Sequence, residues 1–329
     1  MGMAVIKDVG TAVLAFCVGL FVWCFSLEAS AQSLLLLIPI LWACTSSRQC
    51  AGSVVIFYLL GATWFLPSGV SNYFDTSWVT GLFLWLFAAF FLALPAFVIW
   101  HRNRVIRVYR VPALLLLWII PPFGLVGWAH PLTGVGWLFP GFSWWGIVAG
   151  VMFMMMVSWP MDARIRGVIC ACVFIFSYNT NVRPEKPEGW YGHDSFFSFR
   201  LVDQPHHAGF AGYERHMTLI DLMSGQSDVK VHVFPEWVVG QWNDHATWLW
   251  RHHLQGSNEV ILIGATNKND THGPGYDNVV VRVSREGARV VYRQRMPIPI
   301  GMWNPLASQS TRPHLHYETI LPDVMGTKV

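Results

Sequence analysis

The stretch Val229-Lys230-Val231-His232-Val233-Phe234-Pro235-Glu236 decides the fold of the second half of this chain. Valines recur at alternate positions, the pattern of a strand with two unlike faces. Proline has no N–H to give to a ladder, so the strand ends there. The next residue is an acid. A carboxylate at the C-terminal edge of a buried strand is where an α/β protein can keep a general base. The flanks extend the pattern. Met217, Ile220, Leu222 and Met223 predict a helix over 212–224 that stops at Gly225. Asn243 predicts a capped helix running to about Leu254, with Trp248, Leu249 and Leu254 toward the core. Residues 259–266 read as a second strand, and 278–284 and 288–294 as a hairpin about Arg285-Glu286-Gly287. Helix, strand, helix, strand and hairpin describe one half of a layered α/β sandwich.

The first half is different in kind. The whole chain has 329 residues, 53% hydrophobic and only 12% charged, against roughly 25% charged in a soluble domain. Residues 1–180 hold 8 Lys/Arg and 4 Asp/Glu, while 181–329 hold 14 and 15. The first part therefore reads as a membrane domain, with membrane lipids as its expected partners. The net charge of +3 gives no sign of nucleic-acid binding. Apolar runs fall near 9–26, 30–45, 51–66, 78–100, 111–128, 143–160 and 165–179, about seven transmembrane helices. The first is expected to be a retained helix rather than a cleaved signal. Lys7, Arg48, the run from His101 to Arg110, and Arg164 with Arg166 fall in alternate loops. The other loops carry Glu28, Asp75 and, across 129–142, no charge. The positive-inside rule then places the N-terminus in the cytoplasm and the second half outside it, in a bacterium the periplasm. No Asp, Glu, Lys or Arg falls in the middle of a run, which disfavours a transporter. Pro95 and Pro121-Pro122 are expected to kink their helices, and 121–131 is dense in Gly, Pro and Trp. That segment suits a lipid-facing cleft or lid, or simply an aromatic belt at a kinked helix.

Several motifs of the second half resemble the carbon–nitrogen hydrolase (nitrilase) superfamily, whose membrane-bound branch is the apolipoprotein N-acyltransferases. Phe234-Pro235-Glu236 matches the strand-end Pro-Glu motif of that family. Tyr276-Asp277-Asn278-Val279 with Gly287 matches its Asn-containing strand and turn, and 292–302 lines up with its Tyr-x-Lys-x-His-Leu-x-Pro-Phe-Gly-Glu pattern. The resemblance implies a catalytic constellation of Glu, Lys and Cys. It assigns the general base to Glu236, the Lys position to Gln294, the second Glu position to Met302 and the nucleophile position to His316, in Leu315-His316-Tyr317-Glu318. Arg293 and Arg295 flank Gln294, but neighbouring strand residues point to opposite faces. The segments 121–131, Phe139-Pro140-Gly141 and 295–303 are also similar to the conjugal-transfer proteins of TraB type. Together these resemblances imply a polytopic α-helical membrane domain over 1–180 and a linker over 181–190. A partial nitrilase-like sandwich of αββα type is expected over 191–306, with a divergent or truncated tail over 307–329, so the fold is read as incomplete at its C-terminus.

The expected function is an accessory one in plasmid transfer at the bacterial inner membrane, through lipids or through envelope and conjugation-machinery proteins. The alternative is a membrane N-acyltransferase or amidase acting on a lipid or lipoprotein amine, in a cleft lined by Trp128, Trp137 and Trp144. All six cysteines (Cys17, Cys24, Cys44, Cys50, Cys170, Cys172) lie in or beside apolar runs, and none lies in 181–329. No thiol nucleophile is therefore supplied by the second half, and the chain is read as leaning away from catalysis. The 11 histidines of the second half show no metal-ligand spacing, so neither metal nor cofactor is expected. Asn269-Asp270-Thr271 has acceptor spacing for glycosylation that a bacterial chain is not expected to use.

Overall fold

The computed structural model describes residues 2–26, 28–125, 129–180, 187–194, 208–226, 228–268, 275–295, 310–312, 323–324 and 327–328. The chain divides into two compact units, Met1–Arg183 and Pro184–Val329.

The first unit is helical. Helix α1 (Gly2–Leu20) runs into a π-helical turn, and a 3-10 segment (Ala29–Leu36) leads into α2 (Leu37–Cys44). Helices α3 (Arg48–Ala62), α4 (Leu66–Tyr73), α5 (Trp78–Val98), α6 (Arg104–Leu117), α7 (Val135–Leu138), α8 (Ser143–Ser158) and α9 (Ala163–Thr180) follow. Ser47, Ser77 and Asn103 cap α3, α5 and α6, each side chain accepting from a backbone N–H of the first turn. The core is an apolar packing of Trp42, Tyr58, Leu35, Leu36, Ile38 and Leu114 with small residues between them. Gly19 and Gly61 let α1 and α3 touch backbone to backbone. A Cβ on Gly61 would strike Phe16 O, and one on Gly19 would strike Tyr58 O.

Among the described residues, two helical stretches, Asp8–Phe25 and Trp78–Val98, are long and apolar enough to cross a membrane. Two bent pairs would raise the number to four: Arg48–Ala62 with Leu66–Asn72, and Pro131–Leu138 with Ser143–Ser158. The remaining expected runs differ from simple spans. Ala29–Cys44 is a shorter apolar helix, and α6 stops at Leu117, before Pro121-Pro122. The basic stretch ahead of α6, read from the sequence as a loop through Arg110, is mostly helix. Asn103 caps it early, so Arg104, Arg107 and Arg110 lie in its first turns. Pro95 sits inside an unbroken α5.

The second unit is a five-stranded sheet of order β1-β2-β3-β4-β5, made of β1 (Trp190–Gly192), β2 (Val231–Val233), β3 (Val260–Asn267), β4 (Asp277–Ser284) and β5 (Gly287–Arg293). The first two pairings are parallel and the last two antiparallel. Parallel neighbours need a crossover, and α10 (Ala208–Ser224) and α11 (Asp244–His253) lie in those two connections. Both helices put their apolar side on one face of the sheet. Leu219 and Met223 of α10, and Trp250 with Leu254 at the end of α11, pack with Ile261, Ile263, Val279 and Val281. The other face carries a smaller apolar cluster of Val231, Val260 and Leu262 with Val233 and Val280 beside it. Strand β3 is buried on both faces, which explains why its sequence reads as a continuous apolar run rather than an alternation. The short β1 begins at the last residue of the expected linker. A final two-stranded piece, β6 (Asp323–Val324) and β7 (Thr327–Lys328), lies in the expected tail.

Candidate functional site

Glu236 is held by an arch over β3. Strand β2 runs beside β3 up to Phe234, whose N–H donates to Leu262 O at 2.8 Å. Pro235 has no N–H to continue the ladder, and the chain lifts away. It returns at Gly240, whose carbonyl accepts from Thr266 N at 2.7 Å, and Trp242 N then donates to Thr266 O at 2.8 Å. Trp237 and Gly240 take positive φ, at 57° and 68°, which turns the chain out and back. Val238 and Val239 are buried and pin the arch to the core. Beneath it lies Gly264 of β3. A Cβ there would come within 3.0 Å of Pro235 O, Glu236 Cα and Trp237 N. The glycine lets the arch rest on the strand, and it carries no motif signal that a sequence reader would notice.

The arch brings Glu236 to Asn278 at the start of β4. Asn278 Nδ2 donates to Gln294 Oε1 at 2.8 Å and to Glu236 Oε1 at 3.4 Å, the second a long bond. One carboxamide has two N–H groups, so both contacts can be made at once. Gln294 N in turn donates to Asn278 O at 2.8 Å. Two of the four residues singled out from the sequence, Glu236 and Gln294, are thus brought together with Asn278 between them. Met302 and His316 lie outside the described residues. Asn278 is buried, while the Glu236 side is open to solvent.

The flanking arginine behaves as strand alternation requires. Asp277, fully buried on the opposite face from Asn278, pairs with Arg293 at 3.6 Å and with Arg312 at 3.7 Å. The charge of Arg293 is committed there, away from Glu236. Chemically, the cluster is one carboxylate and two carboxamides. It can accept protons from, or hydrogen-bond, an amine, an amide or a hydroxyl. Gln294 adds a neutral amide donor to the cluster and no positive charge.

Sequence reasoning missed a second polar feature, because its partners are far apart in the chain. His193, just after β1, and His232 of β2 are both buried, with Nε2 of the first 2.8 Å from Nδ1 of the second. Glu259 stands 3.9 Å from the far nitrogen of His232. Burial, then the neighbouring His193 and His253, holds the His232 pKa down at about 4. His216 of α10 accepts from Trp250 Nε1 at 2.9 Å, and burial lowers its pKa to about 4 too. These are neutral core histidines. Among the described residues, no group of three or more His, Cys, Asp and Glu side chains is placed to hold a metal ion.

In the helical unit, the 121–131 segment contributes Ala129, His130 and Pro131 to a small apolar cavity with Tyr58, Leu92 and Trp118. Of the expected cleft tryptophans, Trp137 packs on Phe174 with ring centres 5.1 Å apart. Trp144 is 78% exposed at the start of α8, and Trp128 lies outside the described residues.

No protein-family model matches the chain. Individual proteins do. The chain is 36% identical over 310 residues to the "Conjugal transfer protein TraB" of Agrobacterium fabrum (strain C58 / ATCC 33970), covering 89% of this chain and 70% of that protein. It is 34% identical over 275 residues to the "Probable conjugal transfer protein TraB" of Sinorhizobium fredii (strain NBRC 101917 / NGR234), covering 82% and 68%. The chain belongs to the TraB conjugal-transfer family. In a TraB-family chain of 329 residues, a match covering 89% of the chain takes in residues from both units.

Proposed function

We propose that this protein serves plasmid conjugal transfer from the bacterial inner membrane, with residues 1–180 in the bilayer and the α/β unit in the periplasm as a degenerate nitrilase-like domain. The observation that carries the conjugation role is the identity to TraB proteins across most of the chain. The accessory, non-catalytic character rests on the cluster about Asn278. Glu236 has its base position, but Gln294 stands at the lysine position and residues 181–329 contain no cysteine. A base without a charged oxyanion donor or a thiol supports little acyl transfer. The role is therefore one of contact, with envelope or conjugation-machinery proteins and with lipid, and not with DNA directly.

The test is plasmid transfer frequency from a donor deleted for this gene and complemented with variants. Glu236→Ala and Gln294→Ala are expected to restore transfer to the wild-type level, within about twofold, whereas a frameshifted gene does not. Loss of transfer on Glu236→Ala at normal protein level would instead favour the alternative, an N-acyltransferase or amidase acting on a lipid or lipoprotein amine. That reading would then require a nucleophile within hydrogen-bonding reach of Glu236.

A further inference from the structure

The basic residues of the helical unit are gathered at one end of it. Arg104 Nε donates to Ser158 O at 3.0 Å, and its Nη2 reaches Cys44 Sγ at 3.1 Å. Arg107 donates from Nε to Ala43 O at 2.8 Å, and from Nη1 to His101 O and Arg102 O at 2.7 and 2.9 Å. Arg110 Nη1 donates to Ile99 O at 2.7 Å. Arg166 Nη2 reaches Trp159 O and Met161 O at 3.3 and 3.4 Å. These acceptors lie at the C-terminal ends of α2, α5 and α8, or in the turns just after them. Four arginines thus form a collar on three helix ends, and Arg102 and Arg164 stand exposed beside it.

The collar is not neutralised within the protein. Among the described residues none of these six arginines forms an ion pair with a carboxylate. Asp8 and Asp162 are the acids at this end. Asp8 is engaged by the Ser46 hydroxyl at 2.8 Å, and Asp162 caps the first turn of α9 through Arg164 N at 2.7 Å. Each helix C-terminus supplies roughly half a negative charge. Two acids and three such ends leave the six arginines with a surplus of positive charge. The N-terminal ends of α6 and α9, which open here, add to it. Donors are left over as well. A guanidinium has five N–H groups, and the Nη1 of Arg104 and of Arg166 meet no acceptor within the described residues. Both side chains converge on the turn at the end of α8, and Tyr109 packs edge-on against Trp159 at that turn, with ring centres 5.7 Å apart. Amphipathic aromatics beside arginines are what a membrane–water boundary favours.

We propose that this collar binds the phosphate of an anionic phospholipid headgroup at the α6–α8–α9 end, with Arg104 and Arg166 contacting the phosphate and Arg102 and Arg164 contributing charge. The inference rests on the reading of residues 1–180 as a membrane domain. Planar guanidinium forks suit phosphate oxygens, and a phospholipid, unlike a free anion, brings acyl chains that can lie along exposed apolar residues such as Val148, Met152 and Ile165 of α8 and α9.

The experiment uses the full chain, purified in detergent and exchanged into nanodiscs of mixed phosphatidylglycerol and phosphatidylcholine, with retained lipids counted by native mass spectrometry. Wild type is expected to retain phosphatidylglycerol over phosphatidylcholine by about fivefold or more, the scale of one or two interfacial arginines. The double variants Arg104→Gln/Arg166→Gln and Arg102→Gln/Arg164→Gln are expected to lower that preference. Arg285→Gln, which removes equal charge per substitution in the other unit, leaves it unchanged. The second double variant guards against misfolding, because its guanidinium groups cap no helix end. Equal retention of the two lipids by wild type, or an unchanged preference in both double variants, overturns the proposal. Full displacement of phosphatidylglycerol by inorganic phosphate also overturns it, in favour of a free-anion site. Failure of the chain to enter nanodiscs of either lipid overturns the membrane reading itself.

Discussion

At the level of single residues, the site depends on one that has no chemistry of its own. Gly264 allows the Pro235–Val239 arch to lie against β3, and any side chain there collides with backbone rather than with a mobile tip. Overpacking of this kind costs typically about 1–3 kcal/mol. Gly264→Ala is expected to destabilise the second unit by that amount and to displace the arch. Thermal unfolding of the full chain measures the first effect. Glu236→Ala should leave the unfolding temperature within the scatter of wild type, since its carboxylate is exposed and makes one 3.4 Å contact. The sequence makes Glu236 visible because proline before an acid at a strand end is a local pattern. Gly264 and the His193–His232 pair are invisible to it, because their meaning depends on neighbours 27 residues away or more.

Elements divide by the range of their causes. Residues 259–266 and the hairpin about Arg285-Glu286-Gly287 were legible to within a residue or two, since the apolar run, the alternation and the turn glycine all act locally. The cap at Asn243 was equally plain, its side chain accepting from Ala246 N at 2.9 Å, but Trp248, expected toward the core, is 66% exposed and Trp250, two residues on, is the tryptophan that the helix turns inward. Strand β1 escaped, being three residues long and recognisable only by its partner β2. Hydropathy also blurred the helix ends in the first unit. It cannot tell that Asn103 starts α6 ahead of the arginines, or that the chain breaks before Pro121. The α1–α3 crossing is the element-level feature most open to test. Small residues let helix backbones approach in lipid, where the hydrophobic effect does not hold them together. Gly61→Val places a branched side chain against Phe16 O and Leu20 N. It is expected to prise α1 from α3 and to lower the amount of folded protein recovered from membranes several-fold, read by size-exclusion fluorescence of a tagged chain.

On the scale of the whole molecule, acid should act on the second unit through its buried histidines. His216 and His232 have folded-state pKa values of about 4, below the usual value of roughly 6.5, and burial lowers His193 in the same direction. Between pH 6.5 and 4 the unfolded chain binds protons that the folded chain refuses. Stability from these groups is full above about pH 6.5 and falls as the pH drops toward 4. The unfolding temperature is expected to decline over that window, and His232→Asn and His216→Asn should each flatten the decline. A pH-independent midpoint between 7 and 5 would show that these rings are protonated without cost.

The arch over Gly264 has one more consequence. Its two feet are tied to β3, by Phe234 N on Leu262 O and by Thr266 N on Gly240 O, so its position is set by strand pairing and not by the side chain at its crest. Position 236 is in effect an interchangeable socket. A carboxylate, an amide or a methyl group can be mounted there while the frame beneath stays the same. Chemistry can be lost from such a place, or restored to it, one substitution at a time, with no refolding in between.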